Sequence, residues 1–592
     1  MRIVTVRRIS QVFFVALFLW LCITATLGAE WWQLRGWPIN WILSLDPLTA
    51  LGTMLTTGTL YGSLLWGLAV IVLTIFIGRF FCGFACPLGA LNQFVGWLGQ
   101  RARKTPEKIA ANRPRRAQVV KYYLVLFLLA CGLLGSLQTG LLDPLPLLHR
   151  SINLTLAPIV DARIGLLSIE PRHYASAWLI GAVLLTILGL NLVIPRFFCR
   201  FACPLGALFG LSSRFALWRI GKSRGGCGDC HLCEAFCEGA CRPSGKIVTG
   251  ECVLCLNCMD RCSHGRIGFA VRPSAAGEAP LPDLGRRGVI MAGAVGVLAA
   301  PLWRLGGMAD VNRNPGLIRP PGSLDEQRFL ARCIRCGQCM RVCPTNIIQP
   351  ALLEAGVEGL WTPTLNYRIG RGCQLNCIAC GHVCPTAAIR PLSLDEKLGR
   401  GDFADGGPLR LGTAFVDRSR CLPWAMDKPC IVCQELCPVS PKAIFTREVF
   451  ESIRDGQGRA VRVDEDGVEL AGLGPISVNL GSGDYYVRRT RQTGHMDRTG
   501  RADQGSRTEM EPRRITGVSG TRLTLAGNPP WEAPAEVGDE WEIVVKLQRP
   551  FVDAKRCIGC GVCEHECPVS GLRAIRVSAE NESRARRGRM LL

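Results

Sequence analysis

The sequence predicts a polytopic α-helical membrane domain built of two parallel helix-pair repeats, followed by small cysteine-rich α+β modules with a β-rich insert. Three observations predict it. Four apolar runs, near residues 10–29, 60–81, 119–138 and 174–195, each approach the ~20 residues a helix needs to cross hydrocarbon. The segment RFFCGFACPLGAL (79–91) returns as RFFCRFACPLGAL (196–208), with Gly83 against Arg200 as the one difference. Twenty-four of the 31 cysteines fall into six groups of four at near-constant spacing.

The first apolar run follows Arg7 and Arg8 closely and reads as a retained helix. Leu-Asp-Pro-Leu stands upstream of each copy of the repeated segment, at 45–48 and 142–145. Two helix pairs therefore repeat in the same sense, as parallel-repeat membrane proteins do. Residues 101–121 carry eight basic side chains against Glu107 alone, whereas 30–60 carry only Arg35 among basic residues. The positive-inside rule then puts the N-terminus and the 82–118 loop in the cytoplasm, and loops 30–60 and 139–173 on the other side.

The membrane domain spans 1–221, a cysteine-rich module 222–270, and a linker 271–309. Within the linker, Arg286-Arg287 precedes a short Ala/Gly-rich apolar run, Val289–Trp303. It reads as a twin-arginine-like signal or as an apolar linker packed on the protein. A second cysteine-rich domain fills 310–592, with an insert at about 446–550 whose alternating runs read as strands. The tail beyond Val577 is polar and basic, and is expected to fray.

Hydrophobic content is 48% and mean hydropathy +0.21, high for a soluble protein. The charge of +22 comes from 69 basic and 47 acidic residues. Basic residues flank the apolar runs and do not alternate with aromatics on one soluble face, which argues against a nucleic-acid partner.

The six groups are Cys227, Cys230, Cys233 and Cys237; Cys252, Cys255, Cys258 and Cys262; Cys333, Cys336, Cys339 and Cys343; Cys373, Cys377, Cys380 and Cys384; Cys421, Cys430, Cys433 and Cys437; and Cys557, Cys560, Cys563 and Cys567. Disulfide frameworks have no need of thiols at i, i+3, i+6 and i+10. Structural zinc sites pair two separated Cys-x-x-Cys hooks. The spacing is that of [4Fe-4S] ferredoxins, and the last four groups also end in Cys-Pro. Six [4Fe-4S] clusters are expected, bringing roughly −12 in charge with four thiolates on each. In two-cluster ferredoxins the fourth cysteine of each run serves the other cluster. Cys262 then joins Cys227, Cys230 and Cys233, while Cys237 joins Cys252, Cys255 and Cys258. Cys241, just beyond Cys237, reads as a spare thiol, with substitution for Cys237 as the alternative.

Cys82, Cys86, Cys199 and Cys203 lie in the repeated segment at the cytoplasmic boundary, two per copy. They are candidates for an additional redox or metal site, shared by four thiolates if the repeat axis brings the pairs together. No helix carries a pair of histidines, and no haem or flavin is expected. The electron source is then a quinol from the lipid phase. Asp46, Asp143 and His149, placed in the outer loops, are the candidate proton acceptors.

Residues 1–270 resemble the NapH/MauN type of membrane ferredoxin, through four helices, two FFCxFxCPLGAL segments and a two-cluster module. Residues 284–592 resemble the NapG/MauM type of exported ferredoxin with four cluster motifs, so the chain looks like a fusion of the two. The resemblance implies a quinol dehydrogenase component of the bacterial inner membrane. Its first module would be cytoplasmic and its C-terminal domain periplasmic, delivering to a c-type cytochrome or terminal reductase. The stretched first ligands at Cys373 and Cys421 resemble electron-transfer subunits of multi-cluster oxidoreductases. That likeness implies nested pairing in the C-terminal domain, first group with fourth and second with third. The CcoG type of assembly protein shares the membrane motif, so redox maturation of another metalloenzyme is the alternative function.

Overall fold

The computed structural model describes residues 3–27, 40–59, 62–164, 172–223, 230–262, 264–308, 316–474, 476, 478–492, 507–509, 511–527 and 535–584. They form two units, Met1–Leu411 with Ala579–Leu592, and Gly412–Ser578.

In the first unit the repeat is visible element by element. Helix α1 (Ile3–Leu27) leads to a short helix α2 (Pro47–Thr57), then to α3 (Leu65–Ile77), α4 (Phe80–Phe84) and α5 (Pro87–Gln100). The second copy runs α6 (Val120–Leu133), α7 (Pro144–Ser151), α8 (Ala177–Val193), α9 (Phe197–Phe201) and α10 (Pro204–Ser213). Proline opens α2, α5, α7 and α10, where its missing N–H costs nothing. Asp46 caps α2, accepting from Leu48 N at 3.0 Å and Thr49 Oγ1 at 2.9 Å. The Asp-Pro pairs are thus buried helix starts, not surface turns.

Two stretches among the described residues are long and apolar enough to cross a membrane, Ile3–Ala25 and Arg116–Leu133. The expected spans at 60–81 and 174–195 contain the shorter apolar helices α3 and α8, of 13 and 17 residues. The run expected at 289–303 belongs to a longer helix, α11 (Arg286–Met308), with Pro301 inside it. That helix packs along α6. A β-carbon on Gly288 would overlap the Tyr123 ring, and Cys131 Sγ lies 3.3 Å from Gly296 O. Val289–Trp303 therefore takes the form of an apolar segment packed on the protein.

These helices hold two cysteine-rich modules at their opposite ends. At the start of α6, Tyr122 Oη donates to Glu251 of the 230–270 module at 2.8 Å. Just past the end of α6, Leu137 O accepts from Arg335 of the 316–411 module at 2.7 Å. The 14 residues of α6 rise about 21 Å. Helix α8 runs the other way. Tyr174 Oη, before its start, donates to Met340 O at 3.1 Å, and Arg196, after its end, donates to Glu238 at 2.9 Å. Helix α1 starts at the first module, where Arg7 meets Asn257 at 3.4 Å, and its C-terminal part contacts the turn Gln338–Arg341 of the second. Helix α11 carries the chain from one module to the other. One core joins the bundle to the second module through Phe18, Leu88, Leu145, Phe209 and Ile334.

The second unit contains the insert. Strands β1 (Ile444–Asp464), β2 (Gly467–Ala471), β3 (Tyr485–Gln492), β4 (Arg513–Ser519), β5 (Arg522–Leu525) and β6 (Glu540–Val552) pair antiparallel in the order β1-β2-β5-β4-β3-β6, and β6 returns to β1. The ring closes on Val468, Val487, Leu523, Trp541 and Ile543, leaving no open edge among these six strands.

The chain beyond Ser578 is pinned as far as Arg584. Arg584 Nη1 and Arg319 both bond Glu326, and Ser583 N donates to Arg410 O at 2.9 Å. The expected fraying does not begin before residue 585, beyond which the residues lie outside the described set.

Burial would raise the Glu326 carboxyl, but the Arg319 and Arg584 guanidiniums override it and hold it down from 4.5 to about 2. A carboxylate with a depressed folded-state pKa stabilises above its unfolded value, and that stabilisation disappears as pH falls. Thermal unfolding of the first unit should therefore weaken between about pH 4.5 and 2 by ~3 kcal/mol. Glu326→Gln should flatten that part of the pH profile. The one difference between the repeats makes a second prediction. A β-carbon on Gly83 would overlap Val253 O, where the first module docks, whereas Arg200 reaches Ala111 O at 3.2 Å and Arg113 O at 2.9 Å. Gly83→Ala should cost ~1–3 kcal/mol in unfolding experiments. Gly268→Ala, whose β-carbon meets nothing within 4 Å, should cost less.

Candidate iron–sulfur and redox centre

Each short cysteine run wraps a single helical turn, so three thiols of a run converge and the fourth leaves on the departing chain. In the second unit one cavity is lined by Cys557, Cys560 and Cys563 with Cys437, and another by Cys421, Cys430 and Cys433 with Cys567. In the first unit a cavity is lined by Cys373, Cys377 and Cys380 with Cys343. Cys384 lies beside Cys333, Cys336 and Cys339. The fourth cysteine is exchanged between runs in each case.

The nested order expected for the C-terminal domain is overturned. The 333 run pairs with the 373 run, and the 421 run pairs with the 557 run. The strand pair Ile348–Pro350 with Pro363–Leu365 closes the first couple. Thr413–Val416 with Ile575–Ser578 closes the second. Neighbours in sequence pair because each couple forms its own small ferredoxin-type fold, and the ring of strands is looped out between the 421 and 557 runs.

The donor sets fit cubane clusters. The three cavities hold about 310, 360 and 350 Å³ of empty space and are lined by four thiols and apolar groups, with few polar side chains. Among the described residues no three Cys, His, Asp or Glu side chains close in enough to ligate one metal ion. Backbone and lysine N–H groups point at sulfur: Ala414 N to Cys557 at 3.3 Å, Lys397 Nζ to Cys373 at 3.5 Å, and Ile389 N to Cys384 at 3.5 Å. Burial pushes the Cys336 and Cys433 thiols up to about 12, so cluster binding displaces protons from them.

The 230–270 module is described in part, because Cys227 lies outside the described residues. Cys258 neighbours Cys255, Cys252 and Cys237, as the exchange requires. Cys241 sits directly beside the ligand thiols, next to Cys237. Its sulfur lies 3.4 Å from that of Cys237, and it also bonds Cys252. Cys262 packs in the same core as Cys233, with Arg266 N 3.3 Å from its sulfur. Cys227-Gly-Asp-Cys230-His231 also spells a haem-attachment pattern, which the sequence reading passed over. The next thiol at Cys233 gives the run one more ligand than haem attachment uses.

Cys82, Cys86, Cys199 and Cys203 line a single cavity of about 320 Å³ together with Arg79 and Pro144. Cys86 and Cys203 cap α5 and α10, each accepting from the glycine three residues on, Gly89 N at 3.3 Å and Gly206 N at 3.2 Å. Asn92 Nδ2 points at Cys199 Sγ at 3.5 Å.

The proton-acceptor candidates are not in outer loops remote from these thiols. Asp46 and Asp143 are fully buried with their carboxyls paired, and Pro144, next to Asp143, lines the thiol cavity. Burial, and for Asp143 the neighbouring Asp46, raise both carboxyls above the usual carboxylate range. His149 is separate, packed on Phe18 at 4.4 Å and near Cys22 Sγ at 3.7 Å. All three side chains are closed off in this structure, so none presents itself to a lipid-borne quinol.

Comparison with known proteins decides the cofactor class. A family model described as a 4Fe-4S binding domain matches residues 59–106 and 175–223, and a second of the same description matches 329–349 and 550–573. The chain carries 4Fe-4S binding domains. It is 30% identical to Protein NirI of Paracoccus denitrificans over 38% of this chain and 32% of that protein. It is 30% identical to Regulatory protein NosR of Pseudomonas aeruginosa over 37% of this chain and 27% of NosR. It is 28% identical to the methylamine utilization ferredoxin-type protein MauN of Methylorubrum extorquens, over 39% of this chain and 74% of MauN. The chain spans about a third of NirI and a quarter of NosR. No solved structure matches.

The pairing makes a direct prediction. Cys567→Ser should remove the cluster held by Cys421, Cys430 and Cys433, and leave the one held by Cys557, Cys560, Cys563 and Cys437. Iron analysis should show a loss of about four atoms per chain. Under nested pairing the EPR signal lost would instead be the one that Cys336→Ser removes, since Cys336 serves the Cys333 set under either pairing.

Proposed function

We propose that the chain is a membrane-bound iron–sulfur electron carrier. It passes electrons from quinol, through its bundle, to a periplasmic acceptor such as a c-type cytochrome or terminal reductase. The observation that carries this reading is that α1, α6, α8 and α11 each run from one cysteine-rich module to the other. A rise of about 21 Å along α6 suits much of a ~30 Å hydrocarbon core.

The flanks of the bundle support a lipid setting. Val12, Phe13 and Trp20 on α1, Trp66 and Val72 on α3, Trp178 and Leu185 on α8, and Ile290 and Leu298 on α11 are exposed apolar side chains. So wide an apolar belt needs a cover. With basic residues concentrated at 101–121, the first module lies in the cytoplasm and the second in the periplasm of a bacterial inner membrane. Bound [4Fe-4S] clusters supply one-electron carriers. The cysteines hold them, the N–H groups near sulfur favour the reduced state, and the packed helices keep water out.

A second reading is redox maturation of another metalloenzyme, favoured by the likeness to a protein titled as regulatory, NosR. One assay separates the two. Purified protein in liposomes containing quinol should reduce an external c-type cytochrome continuously, and protein stripped of iron should not. Absence of quinol-dependent turnover from fully loaded protein would reject the carrier reading and favour maturation.

A further inference from the structure

We propose that Cys82, Cys86, Cys199 and Cys203 together hold one iron–sulfur cluster, an additional centre between the two modules of the first unit. Neither copy of the repeat can hold it alone, because each contributes two thiols. Only the packing of α4 and α5 against α9 and α10 completes a four-thiolate set.

Four observations carry the proposal. The cavity is lined by four thiols and mostly apolar side chains, as are the three cavities of the ferredoxin-type cysteine sets. Cys203 neighbours Cys199, Cys82 and Cys86, as Cys258 neighbours the other thiols of its own set. N–H groups are aimed at three of the four sulfurs: Gly89 N at Cys86, Gly206 N at Cys203 and Asn92 Nδ2 at Cys199, all within 3.5 Å. Two of these are the N-cap bonds of α5 and α10, whereas Asn92 reaches Cys199 from a different element.

The fourth observation is charge. Arg79 and Arg196, at equivalent positions in the two repeats, are both buried beside this cavity. Arg79 Nη2 lies 4.0 Å from Cys82 Sγ, and Arg196 interacts with Cys199 and Cys82. With Arg7 and Lys121 they make four buried cations against two carboxylates, Glu238 and Glu251. Buried cations in excess need counter-charge. Thiolate-ligated clusters, each roughly −2 when oxidised, provide it on both sides of the arginines.

The location gives the centre a role, which rests on the carrier reading above. A β-carbon at Gly83, inside the first motif, would strike Val253 O, between Cys252 and Cys255 of the first module. On the other side, Pro144 lines the cavity and opens the eight-residue helix α7, whose Arg150 donates to Arg335 O at 3.1 Å, beside Cys336. The centre takes one electron from one neighbouring cluster and gives one to the other. Its iron changes by one oxidation step, and no covalent bond is made or broken.

The test uses full-length protein prepared anaerobically. The Cys82/Cys86/Cys199/Cys203→Ser variant should contain about two to four fewer iron atoms and sulfides than wild type, with the EPR signals of the other clusters intact. Unchanged iron, or a loss of zinc or copper instead, would overturn the proposal. Should the quadruple variant fail to fold, Asn92→Leu takes its place. Removing that N–H from Cys199 should lower one midpoint potential and leave the rest alone, and no shift at any centre would overturn it. Wild-type protein without quinol turnover, with the iron difference present, would reject the carrier reading and leave this site standing. An absent iron difference with turnover intact would reject this site alone.

Discussion

Two carboxylates, partly buried Glu238 and buried Glu251, hold the first cysteine-rich module against the helices, and the rest of the architecture depends on that docking. Glu251 receives Lys121 and Tyr122 from the start of α6, and Arg79 from just before α4. Glu238 receives Arg196 and Arg7. Unpaired, either carboxylate would be prohibitively costly at such depth, so the module has one seat. That seat places the Cys252 run against the first repeated motif. Without it the thiol groups would be beads on a string rather than neighbours.

The repeat does more than duplicate helices. Its arginines, Arg79 and Arg196, both turn toward the first module, and its cysteines turn toward each other. Where the copies differ, the surroundings differ. Gly83 leaves room for a backbone carbonyl, and Arg200 anchors the segment around Ala111. Nearly identical sequence therefore meets two environments, and the single substitution absorbs the mismatch.

Much of this was legible in the sequence because short-range spacing dictates it. Thiols at i, i+3 and i+6 wrap one turn, and the repeated motif announced paired elements. What failed were inferences across long separations. Spacing names the ligands of a cluster but not which run lends the fourth, so pairing the Cys333 run with the Cys557 run had no local signal against it. Asp46 and Asp143 fall in predicted outer loops because Asp-Pro opens a turn or a helix equally well, and only packing distinguishes them. The run at 289–303 looked too short because Arg286, Arg287 and the residues after Trp303 extend a helix without adding hydropathy. Closure of the β ring rests on β6 returning to β1, a contact no single hairpin reveals.

The central claim is that one chain places ferredoxin-type modules on opposite faces of a membrane. Protease sites inserted at the exposed Arg242 loop of the first module and at the exposed Leu353 turn of the second test it most directly. In sealed vesicles of one orientation, added protease should cut one site and spare the other, with the pattern reversed when the membrane is inverted. Cleavage of both sites from the same side would contradict the account.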